Sequence, residues 1–360
     1  MQKKLYFAIL GPHPTANFTQ LHEKTLKTQL SFKQLRKQQL HTWINQKTEF
    51  ECTSLDIVAG DAGFRRYYRF VHHEKSIIAV DAPPKSEDTG QYIAVGQSYR
   101  EKGLKVPEIY VYDLAQGFYL QQDFGNRQFS EFLTADSCDE LYPKALANIP
   151  IIQKCLSTAK GPLPAHDEAF IDRELGLFPD WLLDKYLKLH LTDVEKNMLA
   201  KAFNNVKNSC LLQPKVGMHR DYHSRNLMLL DGDEIGVIDF QDAVVGPITY
   251  DAVSLLRDSY QDWPKTKVQE WLQNWHAEYY SQYPWDEFKV WFDCAGMQRQ
   301  IKIAGIFARL CLRDNKPSFL ADIPHTLNYL IDVASQYPDY FEFANFVRER
   351  VLPNVLQNLK

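Results

Sequence analysis

MHRDYHSRNLMLLDGDEIGVIDFQD, residues Met218 to Asp242, packs several chemically active side chains into one short stretch. Leu227 to Leu230 is a brief apolar run, Asp231-Gly232-Asp233 is a turn signal, and Ile235 to Phe240 is a second apolar run. The pattern predicts a loop followed by a β-hairpin. Such a hairpin brings Asp221, Asn226 and Asp239 to one edge. Two acids and an amide that share a partly buried edge require a cation or a substrate donor. The plainer account is a hairpin with solvated turn acids, which is how most turn aspartates behave.

The separations argue against that plainer account. His219-Arg220-Asp221 followed by Asn226 fits H-R-D-x-x-x-x-N, the catalytic loop of phosphoryl-transfer enzymes. Asp239-Phe240-Gln241 stands where those enzymes carry Asp-Phe-Gly. In that template Asp221 and Arg220 are the catalytic residues, Asp221 as acceptor of the hydroxyl proton. Asn226 and Asp239 hold Mg²⁺, which offsets charge on the transferring group. With these residues in place, HRDYHSRNLM, IDFQDA and GPITYD resemble the aminoglycoside phosphotransferase family of small-molecule kinases. Within it the chain most resembles bacterial kinases acting on the anomeric hydroxyl of N-acetylmuramate and N-acetylglucosamine in cell-wall sugar recycling. The resemblance runs from about residue 30 to about 345 and is strongest over 217–258 and 298–335. It implies ATP and Mg²⁺ as cofactors and a small-molecule sugar as acceptor. It also implies an α+β, two-lobed protein-kinase-like fold, with a small five-stranded lobe carrying one helix and a large, mostly helical lobe.

At 360 residues, two lobes are the natural expectation. The divisions expected are an N-terminal extension over 1–28, a nucleotide-binding lobe over 29–124, and a catalytic and acceptor-binding lobe over 125–360. Apolar residues make up 45%, enough for two cores, and the net charge of −4 speaks against nucleic-acid binding. The six cysteines are dispersed, with no C-x-x-C pair, which suits reduced, buried thiols better than disulfides or zinc. The opening MQKKLYFAIL mimics a secretory leader, but its apolar run is too short for one. A cytoplasmic monomer with no membrane partner is expected.

In the small lobe, LDIVAG, YYRFVH, SIIAVD, EIYVYD and GFYLQQD predict five strands, and SEDTGQYIAVGQSYREKG predicts one helix after the third. Leu30, Phe32, Leu35, Leu40 and Trp43 recur at helical spacing and predict a helix lying on this lobe. The turn Gly60-Asp61-Ala62-Gly63-Phe64-Arg65-Arg66 falls where a phosphate-covering loop belongs. Its glycines admit anionic oxygens to backbone amides, and Arg65 and Arg66 add charge. The same Gly-x-x-Gly between strands also reads as an ordinary turn. Where the kinase template has a third-strand lysine, this chain has Asp81, which would repel a triphosphate. Either Arg65, Arg66 or Arg69 replaces the lysine, or Asp81 points away and Arg66 or Arg69 is a solvated strand residue. LQQDFG, with Gln122 and Asp123, resembles the inter-lobe link whose backbone pairs with adenine.

Beyond it, helices are expected at 139–160 (one helix, or two if Pro143 and Pro150 divide it), 168–190 and 193–210. Asp251 opens an apolar helix and either receives backbone amides of the catalytic loop or simply suits the helix dipole. On a helix over 298–313, Arg299, Lys302, Arg309 and Arg313 share a face, read either as solvated or as an anion-reading substrate face. His219 and His223 have the spacing of a zinc pair but lie in a loop, so a packing role for His219 is expected. Three rival functions remain. An aminoglycoside kinase needs acceptor-side carboxylates, a choline-type kinase needs a cage for an ammonium, and a nucleotide-binding pseudokinase is favoured by Asp81 alone.

Overall fold

A computed structural model describes residues 32–58 and 64–359; Gly60, Asp61 and Gly63 of the expected phosphate loop, and the expected 1–28 extension, lie outside them. The chain forms two compact units, one of residues up to Thr89 plus Ile109–Asp123, the other of Gly90–Glu108 plus Phe124–Lys360.

In the first unit the predicted strands are all present: β1 (Asp56–Ile57), β2 (Arg66–His72), β3 (Lys75–Asp81), β4 (Ile109–Asp113) and β5 (Phe118–Gln122). They make one antiparallel sheet in the order β1-β2-β3-β5-β4. Side chains alternate between faces, so Tyr68 and Phe70, Ile77 and Ala79, and Phe118 and Leu120 fall on one side. They are buried against Leu40, Trp43 and Ile44 of helix α1 (32–47). Phe32 and Leu35, expected on the packed face of that helix, are about half exposed.

Asp81 shares the parity of Ile77 and Ala79, so its carboxylate faces α1 in the sheet's interior and is 0% exposed. Arg66 stands directly opposite it in the β2–β3 register and donates to Oδ2 at 2.5 Å. Arg36 of α1 donates to Oδ1 through Nε at 2.9 Å and Nη2 at 2.5 Å, and to the Gln116 carbonyl at 2.7 Å. The acid in the lysine slot is therefore balanced by two arginines within the unit's own core.

Helix α2 (Thr89–Glu101) departs from the expected 29–124 lobe, because nearly all of it clusters with the second unit. The reason is Phe240. Its ring stacks on Tyr92 at 4.6 Å and lies against Gly96, where a Cβ would come within 3.0 Å of it. Ser98 Oγ also lies 3.2 Å from Cys155 Sγ.

The rest of the second unit is mostly helical around one long helix, Trp285–Asp314. From Phe292 to Ala308 this helix is buried on almost every side, polar residues included. Gly305 lets the chain pass at Leu177, where a Cβ would sit 2.4 Å from the Leu177 carbonyl. Helix Cys138–Gln153 runs unbroken through Pro143 and Pro150, the single helix of the two readings, though it ends at Gln153 and not at 160. Pro150 has no N–H for the Leu146 carbonyl, and the indole Nε1 of Trp275 donates to that oxygen instead, at 3.0 Å. Two short antiparallel pairs carry the chemistry: Lys215–Met218 with Val244–Pro247, and the hairpin Leu227–Leu229 with Ile235–Val237. The six cysteines are free. Among the described residues no helix is long and apolar enough to cross a membrane.

Candidate active site

The loop between Met218 and Leu227 has no regular ladder of its own, so its shape depends on side chains from elsewhere. Asp251, buried at the start of helix Tyr250–Leu256, accepts the backbone N–H of His219 at 2.7 Å and of Arg220 at 2.9 Å. Of the two readings of Asp251, the loop-holding one is what the geometry displays. Asp258, buried just past that helix, accepts both N–H and Oγ–H of Ser224, at 2.9 and 2.5 Å. The Asn226 amide nitrogen closes the loop on the Asp221 carbonyl at 2.9 Å. His219, fully buried, meets the Ile238 carbonyl through Nε2 at 3.0 Å. A carbonyl can only accept, so Nε2 carries the proton and ties the loop to the strand leading into Asp239. That is the packing role expected of His219. Among the described residues no cluster of three or more His, Cys, Asp or Glu could hold a metal ion.

Arg220 and Asp239 both sit at positive φ, 79° and 65°, costly for residues with side chains and characteristic of functional loops. The Arg220 guanidinium pairs with Glu174 at 2.9 Å. Arg220 therefore positions the loop. Glu174, at 5% exposure, also accepts from Gln298 at 2.8 Å, meets His166 at 3.1 Å, and lies 3.7 Å from Lys302. Burial works to raise its pKa, but Lys302, His166 and Arg220 hold it far below the usual carboxylate range.

Asp221 experiences the same contest. Burial acts to raise its pKa, and Lys302, Arg220, His223 and Arg299 together lower it, so the carboxylate is ionised at neutral pH. Asn226 Nδ2 lies 3.4 Å from Asp239 Oδ2, which brings the amide and the acid together as the spacing predicts. Gln241, where the template has glycine, donates to Asp239 Oδ1 at 2.7 Å, and its own Oε1 is buried with no hydrogen-bond partner. An amide oxygen, a carboxylate and an orphaned amide oxygen make a hard-oxygen set of the kind Mg²⁺ takes. The residues fit the ion.

Burial pushes the Asp251 pKa up to about 6, against the pull of His219 and the two amide bonds. The folded value lies above the ordinary 3.8, so this group stabilises the fold at low pH, and that contribution is lost as pH rises through 6. Activity should run the opposite way, because only the ionised acid can accept both amides fully. The acid limb of kcat is expected near pH 6, not at the lower pKa of Asp221. Asp251→Asn should give a lower plateau without that limb, measured as ADP release against pH. An unchanged limb would reject the assignment.

The other sequence-predicted residues fall as follows. Phe64 is exposed, and its N–H meets Glu87 at 3.2 Å. Arg65 pairs with Glu87 at 2.9 Å, Arg66 with Asp81, and Arg69 with Asp123 at 2.6 Å. None of these arginines is the solvated strand residue allowed for, and Arg66 is committed to Asp81 instead of offering its charge outward. Gln122 ends β5 opposite Ile77, while the Asp123 carboxylate turns to Arg69 and Ser76. The basic stripe does not exist as one surface. Arg299 and Lys302 are 2% exposed, Arg309 is half-buried, and Arg313 is exposed and paired with its own neighbour Asp314. A helix enclosed on all sides has no solvated face at 299–302. Sequence reasoning missed Glu174, Asp258 and Gln241; only Gln241, the departure from Asp-Phe-Gly, left a visible signal.

The sequence profile described as the phosphotransferase enzyme family matches residues 54–290. The chain is 35% identical to an N-acetylmuramate/N-acetylglucosamine kinase of Pseudomonas putida, over 88% of this chain and 96% of the relative. It is 37% identical to a protein of the same name from Pseudomonas aeruginosa, over 80% and 86%. Among solved structures, a choline/ethanolamine kinase family protein from Mesorhizobium loti superposes with a TM-score of 0.60 at 12% identity, over 87% of this chain and 99% of that one. At that identity the likeness speaks for the fold alone, and the fold is the protein-kinase-like one expected. The chain belongs to the phosphotransferase enzyme family.

Proposed function

We propose that this protein transfers the γ-phosphoryl group of ATP to the anomeric hydroxyl of N-acetylmuramate and N-acetylglucosamine, giving the sugar 1-phosphates for cell-wall sugar recycling. The observation that carries the reading is the ionised Asp221 in a loop pinned by Asp251 and Asp258, with Asn226 and Asp239 brought together beside it. The names of the Pseudomonas relatives supply the acceptor.

Asp221 orients the acceptor hydroxyl and takes its proton. A carboxylate whose pKa is held low is a weak base, which suits phosphoryl transfer, where the leaving group departs early and positioning dominates. It also suits an anomeric hydroxyl, whose proton is made more acidic by the ring oxygen. Asn226, Asp239 and Gln241 would hold Mg²⁺, which supplies positive charge to the phosphate oxygens when bound. Arg65 is the arginine we assign to the missing lysine's place. It alternates onto the sheet face opposite α1, and its partner Glu87 lies just before α2. Gly60, Asp61 and Gly63 would cover the phosphates.

The test is phosphorus NMR of the product formed from each sugar with ATP. A 1-phosphate is expected from both, and no reaction from methyl glycosides, which lack the attacking hydroxyl. A 6-phosphate, or turnover confined to aminoglycosides or amino alcohols, would overturn the reading.

A further inference from the structure

Arg299 is anomalous in the second unit. It lies at the middle of the long helix, 2% exposed, and its Nε and Nη1 are buried with no hydrogen-bond partner. Among the described residues no ion pair joins it to a carboxylate, whereas Lys302 and Arg220 beside it both have partners. Lys302 donates to the Tyr250 hydroxyl at 2.9 Å and faces Glu174, and Arg220 has Glu174. Burying guanidinium N–H groups without hydrogen-bond partners is costly, and two of them at this site point to a ligand that would accept from them.

The groups that share its electrostatic surroundings are Asp221, His223, Lys302, Tyr250 and Tyr260. They mark the end of the loop at which the hydroxyl gives up its proton, while Asn226, Asp239 and Gln241 mark the phosphate end. His223 meets the Tyr260 ring edge-on at 5.4 Å, and its Nδ1 is likewise buried without a partner. Unsatisfied polar atoms gathered at one place are the mark of a polar ligand. Lys302, one turn along the helix, repels Arg299, and an anion between them and the solvent side would relieve that repulsion.

We propose that Arg299 reads a carboxylate on the acceptor and so determines preference among acceptors. This rests on the function proposed above. Its two acceptors differ by one group, the lactyl carboxylate that N-acetylmuramate carries and N-acetylglucosamine lacks. A buried guanidinium makes a charge-assisted, bidentate contact with such a group. Because both sugars are acceptors, the contact confers preference for the acid without being required for transfer. Of the five basic residues on this helix, Arg299 alone combines full burial, two guanidinium nitrogens without a hydrogen-bond partner and proximity to Asp221.

The experiment measures kcat/KM for N-acetylmuramate, its methyl ester and N-acetylglucosamine, with the wild type, Arg299→Gln and Arg299→Lys. The wild type should favour the acid over the ester by about 10- to 100-fold. Arg299→Gln should erase that ratio through the KM of the acid, and Arg299→Lys should restore part of it. An acid-to-ester ratio that is the same in Arg299→Gln as in the wild type would overturn the assignment, as would equal losses on all three sugars, which would mean a structural or phosphoryl-binding role. If Arg299→Gln folds poorly, the wild-type comparison of acid with ester still decides: indifference to the ester sinks the proposal. Wild type that phosphorylates neither free sugar would sink the proposed function itself, a result distinct from the other two.

Discussion

Asp221→Asn should lower kcat by about 10³-fold, roughly 4 kcal/mol of barrier, with ATP affinity held. The amide keeps the shape of the carboxylate but cannot take the hydroxyl proton, and it no longer balances Lys302, Arg220 and Arg299 around it. The loop should nevertheless survive, because its hydrogen bonds run through the Asp221 backbone carbonyl and through Asp251 and Asp258, not through the Asp221 side chain. Single-turnover rates and calorimetric ATP titration check the two halves. Asp239→Ala gives the contrast: it should raise the Mg²⁺ concentration needed for half-maximal rate, which Asp221→Asn should leave alone. Near-full kcat in Asp221→Asn would show that the loop has been assigned the wrong role.

Asp81→Ala should cost about 3–5 kcal/mol of stability, among the largest single losses available in the first unit. Its carboxylate is wholly buried and accepts from Arg36 and Arg66, so removal leaves two guanidinium groups in the interior with nothing opposite. Replacing all three, Asp81→Leu with Arg36→Met and Arg66→Met, should recover most of that loss, since an apolar trio of similar volume needs no balancing charge. Urea unfolding followed by circular dichroism measures both. A single-site loss under 1 kcal/mol would mean that the cluster is solvated and the burial misread. Asp81→Lys, the change that would restore the letter of the kinase template, would set three cations together and should be worse than alanine.

Much of this was legible in the letters because it depended on local periodicity. Strands β3 and β5 read as short, mostly apolar runs between turn signals, the hairpin announces itself by Asp231-Gly232-Asp233, and the catalytic spacing is carried on one continuous loop. What escaped depended on partners distant in sequence. Glu174 holds Arg220 from 46 positions away and Asp258 holds Ser224 from 34. The pattern of Arg299 and Lys302 was visible, but periodicity assigns a residue to a side of a helix without saying whether that side meets water or protein. Helix α2 is a further case: its sequence marks a helix, but its contacts with Phe240 and Cys155, both distant in sequence, are not written in that stretch. The Asp81 puzzle is answered in part by Arg36, 45 positions away on the helix expected to lie on this lobe, a partner that no local pattern around Asp81 indicates.

The indole of Trp275 at the Leu146 carbonyl makes the two residues unequal. Pro150 leaves that oxygen without its helical N–H, and the tryptophan, packed against Tyr280 and Phe288, supplies the donor from outside the helix. Replacing the proline with alanine gives the oxygen a second donor, while replacing the tryptophan with phenylalanine leaves it with none, so the burden of holding this turn rests on the indole and not on the helix's own backbone.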